Sequence, residues 1–287
     1  MNVLKWWVIR QLSQRAKPYL QSYGFLKTVK HHPAVVWEPK GGRVLVLAPH
    51  MDDEVIGCGG TLYKHIRNGA EVTVVYMTDG RNGSSTIKYL SGEERRRRER
   101  ELVETRKWEA QMAMRTLGIK QGIFLDAEDW NLSSTPEIQS RLREILYSIE
   151  PDVVYLPFFL EEHPDHRMTS RILIDATEGS DIEFECCGYE VWTALFPNCL
   201  VDISDAVEVK KQALEHYQSQ LIGNNYIHAS IGLNAYRSIL LCGNNSGFVE
   251  AFFLTSLREY RELYKSYCGM DAKNNGIPQV DKLRVVR

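Results

Sequence analysis

Two short stretches concentrate the groups that hydrolytic chemistry needs. Pro49-His50-Met51-Asp52-Asp53-Glu54 sets one imidazole beside three carboxylates, and Glu161-Glu162-His163-Pro164-Asp165-His166 adds two imidazoles and further acids. Imidazole from each stretch plus one carboxylate makes a three-ligand metal set with a fourth position left for water. Such a set suits Zn²⁺, and also Fe²⁺ or another divalent ion. Each stretch alone has an ordinary structural reading: Asp-Asp-Glu complements the dipole of a helix start, and His-Pro-Asp-His makes a turn with proline at the first helical position. Both clusters at matching strand ends are much harder to reach by accident.

The flanking residues supply those strand ends. Arg43-Val44-Leu45-Val46-Leu47-Ala48 is a short apolar run of the kind buried on both faces of a parallel sheet, and Pro49 stops it. Residues 55–69 carry apolar side chains at Val55, Ile56, Leu62 and Ile66 and end in Asn68-Gly69, a helix terminus. Val72 to Met77 is a second strand, so the three form a right-handed βαβ unit with the acidic turn at the carboxyl end of a strand. Asp152-Val153-Val154-Tyr155-Leu156-Pro157 repeats the pattern before the second cluster. Glycines 57, 59 and 60 do not form GxGxxG, and the carboxylates before them would repel a pyrophosphate.

Pro49 to Glu54 resembles the PHPDDE motif, and Glu162-His163-Pro164-Asp165-His166-Arg167 the GHPDHR motif, of the LmbE/PIG-L family of zinc-dependent N-acetylglucosaminyl deacetylases. Shorter matches follow in order: Thr78-Asp79-Gly80, Arg106 with Glu109, Tyr217-Gln218-Ser219-Gln220 and Glu250-Ala251-Phe252. The resemblance implies a Rossmann-like α/β fold, with a mostly parallel sheet, helices on both faces and the site at the carboxyl ends of the strands. It implies His50, Asp53 and His166 as ligands of one Zn²⁺ per chain and Asp52 as general base. It implies His163 as general acid and oxyanion partner, with Asp165 orienting it. Glu54 is then a supporting residue behind the ligands, and Asp129 matches a family aspartate near the sugar. Met51 stands where proline is commonest. Glu161 and Glu162 stand where small residues are frequent, which predicts extra negative charge at the rim and a substrate that is not anionic.

The remaining chain frames this site. Its 287 residues, 44% hydrophobic, fit one large domain over 41–255, with an N-terminal extension over 1–40 and a C-terminal helix and tail over 256–287 packed on the same domain. The first 37 residues hold six Lys or Arg, no acid, and interleaved Trp and Tyr. They fit an amphipathic helix on an anionic membrane surface, or a helix packed on the domain or on a second copy in a homo-oligomer. Residues 78–85 are a polar loop at the rim, in which Asp79 and Arg81 are expected hydroxyl ligands; Gln220 is expected to reach the same pocket. From Glu93 to Glu109, six acids offset seven bases, so the four consecutive arginines belong to a solvated helix with i,i+4 pairs. With a net charge of -2, nucleic acid is not an expected partner. Strands are further expected at 119–125, 190–196 and 199–201, and helices at 136–149, 168–176, 207–220 and 253–267.

Six cysteines without a CxxC pair resemble reduced core residues. With neither a secretory signal nor a membrane-span pattern in the sequence, a cytoplasmic location is expected, with peripheral contact at the inner membrane face as the variant. The leading function is removal of the N-acetyl group from an amino sugar or its glycoconjugate. Other metallo-amidase or esterase chemistry on the same ligands, such as thiol-conjugate cleavage, is the alternative. A non-catalytic glycan- or membrane-binding protein has no use for a base beside a metal.

Overall fold

The computed structural model describes residues 34–84, 86–241 and 247–272. The basic aromatic extension up to residue 33 lies outside them, and its membrane or packing role with it. The chain divides into two compact units, of which Pro33–Leu257 carries the sheet and the site; the described part of the other is helical.

Among the described residues eight strands form one sheet: β1 (Val35–Val36), β2 (Arg43–Ala48), β3 (Glu71–Thr78), β4 (Gln121–Ala127), β5 (Val153–Pro157), β6 (Glu185–Tyr189), β7 (Cys199–Asp202) and β8 (Val249–Ser256), in the order β1-β7-β8-β6-β5-β2-β3-β4. Every pairing is parallel except those of β8, which runs antiparallel to β6 and β7. The helices are α1 (Asp53–Arg67), α2 (Gly92–Leu117), α3 (Pro136–Ile149), α4 (Pro164–Ala176), α5 (Val207–Leu214), α6 (Gln218–Leu221), α7 (Tyr226–Arg237) and α8 (Leu257–Ala272). Val44, Val46 and Ala48 of β2 join a core with Leu62 of α1, Ala113 of α2 and Ala213 of α5, while Leu45 and Leu47, pointing the other way, are also fully buried. This is the two-faced burial that an apolar, non-alternating run demands. β2 pairs with β3 on one side and β5 on the other, so strand order reverses there and a crevice opens at their carboxyl ends. Both acidic clusters follow these two strands.

Three expected elements differ. Residues 190–196 form a loop and the strand is β6, because the amides of 191–193 bond to the Glu161 carboxylate and that of Leu195 to Glu190. The helix expected over 207–220 breaks into α5 and α6 at Glu215–Tyr217. Residues 253–256 belong to β8, so the C-terminal helix begins at Leu257.

Helix α1 is kinked at Cys58, whose φ of -145° and ψ of 15° are not helical. A regular helix would bond the Gly60 N–H to the Ile56 carbonyl. Here Gly60 and Thr61 donate instead to the two carboxylate oxygens of Glu250, at 3.0 and 2.7 Å, and the Ile56 carbonyl accepts from Lys210 Nζ at 2.8 Å. Lys210 also meets Glu250 at 2.7 Å and Asn234 Oδ1 at 2.9 Å, all of it out of solvent. A buried ion pair thus replaces the backbone bonds lost at the kink. A Cβ on Gly60 would fall 2.8 Å from Ile203, which accounts for that glycine by packing, without a nucleotide.

Lys210→Met strands the Glu250 charge and should cost about 3–5 kcal/mol in denaturant unfolding, with Lys210→Met/Glu250→Gln recovering part of it. His65, buried on α1, sits 2.6 Å from the Lys40 carbonyl and 2.9 Å from the Tyr155 hydroxyl. Burial lowers its pKa, against the pull of that carbonyl. The unfolded chain therefore binds a proton at about pH 6.5 that the folded chain refuses, so this stability is complete above that pH and declines below it. The stability gap between wild type and His65→Gln should shrink from pH 7.5 to 5.5; a constant gap would refute the assignment.

Candidate metal centre and active site

The turn after β2 is built to aim its side chains. The Pro49 carbonyl is held by the backbone and hydroxyl of Thr78, at 3.0 and 2.9 Å, which ties the end of β2 to the end of β3. Asp53 Oδ2 accepts the amide of His50 at 2.9 Å, folding the turn back on itself. Between them Asp52 adopts φ 142°, a region that side chains seldom enter, and its N–H is taken by Glu54 Oε2 at 3.2 Å. Arg106 of α2 clamps the turn from outside by donating to the Met51 and Gly80 carbonyls at 2.8 and 3.2 Å and approaching Asp52 Oδ1 at 3.4 Å. Asp52 makes no capping bond to its own helix, so its carboxylate faces the cavity.

The second loop comes from β5. Pro164 opens α4, and the His163 side chain at the helix cap accepts the Asp165 N–H through Nδ1 at 3.2 Å. A neutral imidazole engaged in this way keeps its proton on Nε2. One turn on, His166 is fully buried.

The two loops bring three atoms together. His50 Nδ1 is 3.1 Å from Asp53 Oδ2, His166 Nε2 is 3.2 Å from the same oxygen, and the two nitrogens are 3.3 Å apart. Donors held tetrahedrally at about 2.0–2.1 Å from one ion lie about 3.3–3.4 Å from each other, so these residues fit a metal. His50, His163 and His166, and separately His50, Asp129 and Asp165, also offer atoms within 4.8 Å of one another. In the set of His50 Nδ1, Asp53 Oδ2 and His166 Nε2, every separation is 3.1–3.3 Å. The tighter triangle of His50, Asp53 and His166 is the better ligand set.

Charge follows this geometry. Burial opposes ionisation of Asp53, yet the His166 and His50 imidazoles outweigh it and hold its carboxyl well below the usual range. Burial likewise opposes charge on His50, but the carboxylates of Asp129, Asp165 and Asp53 raise its pKa well above 6.5. Asp52 is pushed up to about 7 by burial, against Arg106 and with the Asp53 charge. Glu54 is also raised to about 7 by burial, although hydroxyls of Tyr217 and Tyr76 bond to it. His163 falls to about 4, through burial and the charges of His50 and His166.

A cavity of about 590 Å³ opens onto this cluster and is lined by Asp52, Asp129, His163 and Gln220, with Trp130, Trp192 and Tyr226. Several expectations change here. Asp79 and Arg81 pair with each other, Nε to Oδ2 at 2.6 Å, and line a separate cavity of about 450 Å³; the pair folds their loop and removes both from the site as hydroxyl ligands. Asp165 does not orient His163 with its carboxylate. It accepts from Trp130 N at 2.8 Å and Leu132 N at 3.2 Å and meets His50 Nε2 at 3.2 Å. Asp129 likewise meets His50 Nε2 at 3.1 Å and accepts the Asn82 amide at 2.8 Å, so it braces His50 as well as lining the cavity. Glu161 does not stand at the rim: it is buried, and three successive amides donate to its carboxylate. Glu162 alone of the pair is exposed. Trp130, Trp192 and Tyr226 were illegible as lining residues, since no spacing or motif marks them.

This fold, with a His/His/Asp centre at the switch point of a mostly parallel sheet, defines a class that comparison identifies. Residues 45–177 match the PIG-L family model, GlcNAc-PI de-N-acetylase. Diacetylchitobiose deacetylase of Thermococcus kodakarensis is 31% identical over 194 residues, covering 62% of this chain and 70% of that protein. A 1D-myo-inositol 2-acetamido-2-deoxy-alpha-D-glucopyranoside deacetylase of Catenulispora acidiphila is 30% identical, but the match covers only 47% of this chain and 48% of that one. The structure of N,N'-diacetylchitobiose deacetylase from Pyrococcus horikoshii superposes with a TM-score of 0.63 at 28% identity, covering 75% of this chain and 84% of that one. The chain belongs to the PIG-L family.

The ligand geometry predicts that His50→Ala, Asp53→Ala and His166→Ala each lose stoichiometric metal, while Asp165→Asn, which takes one acceptor oxygen from the group that meets the outer nitrogen of His50 and the Trp130 and Leu132 amides, weakens affinity about 10–100-fold. Competition against a chromophoric chelator measures both. Full affinity in His166→Ala would rule out this ligand set.

Proposed function

We propose that this protein is a divalent-metal-dependent N-deacetylase that removes the acetyl group from an N-acetylated amino sugar or its glycoconjugate. The observation that carries the reading is the triangle of His50 Nδ1, Asp53 Oδ2 and His166 Nε2, with the Asp52 carboxylate beside it in an open cavity. Two nitrogen donors and one carboxylate suit Zn²⁺, one per chain. When bound there, such an ion lowers the pKa of water and polarises an acyl oxygen.

The protein's own groups do the rest. Asp52, held at φ 142° by Glu54 and Arg106, presents a carboxylate whose affinity for a proton matches neutral pH, as a general base should. It takes the proton of the attacking water, and the tetrahedral carbon that forms places negative charge on the former acetamide oxygen. The Nε2–H of His163 donates to that oxygen. The proton held on Asp52 then passes to the departing nitrogen, and acetate and the free amine leave. With Nδ1 engaged by the Asp165 N–H, His163 offers the site a hydrogen bond through Nε2. Relatives that act on diacetylchitobiose and on an acetamido-glucopyranoside support an N-acetylated sugar as substrate.

Metal-loaded protein incubated with a panel of N-acetylated sugars should release acetate in stoichiometric amount with free amine. Asp52→Ala should lower turnover about 100-fold or more while keeping its metal. Cleavage of other amides or esters in the panel without acetate would favour the alternative hydrolase chemistry instead.

A further inference from the structure

Two large aromatic side chains at the cavity stand out because they are exposed and yet rigidly held. Trp130 is 60% exposed and Trp192 56%. Trp130 has φ 66°, a conformation normal for glycine and uncommon for a bulky residue. Its loop is fixed on both sides: Asp165 accepts from Trp130 N and Leu132 N, and the Asp129 carbonyl accepts from Asn82 Nδ2 at 2.8 Å. Trp192 is held as firmly. The Glu161 carboxylate collects the amides of Val191, Trp192 and Thr193 at 2.7, 3.1 and 3.2 Å, and Thr193 Oγ1 accepts the Glu162 N–H at 2.9 Å. Glu161 Oε2 is also 3.7 Å from His166 Nδ1, and Asp165 meets His50 Nε2. Each tryptophan loop is therefore fastened to the carboxylate that stands behind one of the metal-facing histidines.

The indoles lie at different distances from His163. The Trp130 ring is 4.4 Å from that imidazole, edge-on, whereas Trp192 is 6.4 Å from it and 6.4 Å from Tyr226. A pyranose ring has an apolar face of C–H groups and a hydroxyl edge. The face suits a flat indole, and the edge needs polar partners such as Asn82 and Gln220, which line the same cavity. One indole next to the reacting position and a second farther out make two such platforms.

We propose that Trp130 receives the face of the acetylated sugar and Trp192 that of a second ring, so that these two side chains set the margin by which the site favours a two-ring ligand over the free monosaccharide. This rests on the amino-sugar reading above. It assigns a substrate-specificity role to two residues outside the ligand and base set, and it makes the platforms part of the frame that aims the histidines.

The test is calorimetric titration of the full, metal-loaded chain carrying Asp52→Asn, with N-acetylglucosamine and N,N'-diacetylchitobiose as probes. The disaccharide should bind about tenfold more tightly than the monosaccharide. Adding Trp192→Ala should erase that margin and leave the monosaccharide constant unchanged, while Trp130→Ala should weaken both sugars and Trp130→Phe restore them. An unchanged disaccharide margin in Trp192→Ala, or sugar binding unaltered by either alanine, overturns the proposal. So does a Trp192→Ala protein that binds both sugars normally but sediments differently, since the indole then serves a subunit contact. Acetate release by the wild-type enzyme is scored separately. Its absence with the binding pattern intact sinks only the deacetylase reading, and its presence without that pattern sinks only the platforms.

Discussion

Three lone-pair donors at 3.1–3.3 Å from one another, all but closed off from water, constitute the constraint on which the rest of the structure depends. Such a cluster is unfavourable unless positive charge sits among its members, because water is not there to satisfy them. The raised affinity of His50 and His166 for protons expresses the same demand. A divalent ion bound here would compete with protons for this position, and acid would work against its binding.

Holding the cluster requires work at a distance from it. Asp129 and Asp165 both face the outer nitrogen of His50, and Glu161 stands behind His166. Each of the three also accepts backbone amides of neighbouring loops. This arrangement orients the imidazoles and at the same time shapes the loops that wall the cavity. On the opposite side, Arg106 and Glu54 hold the Asp52 backbone in a conformation that it would not adopt alone. Behind the turn, Lys210 and Glu250 splice the kinked α1 and so fix the direction of its first turn, where Asp53 and Glu54 lie.

Strand order supplies the remaining economy. Because β2 lies between β3 and β5, a crevice forms at the carboxyl ends of β2 and β5 without any insertion to create it. The antiparallel β8 lies beyond β6 and contributes Glu250 to the buried splice. Aromatic loops after β4 and β6 then border the opening.

What the sequence determined by itself is the local chemistry: apolar runs that must be parallel strands, prolines that end them, and acidic-imidazole turns that follow. Periodicity and side-chain type carry that information, and the resemblance to the family motifs added His50, Asp53 and His166 as candidate ligands. What only the tertiary structure decided is the partner of each polar group. Asp79 with Arg81, Asp165 with His50, and Glu161 with the 191–193 amides are choices between equally polar neighbours, made by where the loops happen to meet. The loop over 190–196 is the plainest case. Its Val-Trp-Thr composition favours a strand, but a buried carboxylate from another loop claims its amides, and hydrogen bonds across 30 residues leave no trace in local composition.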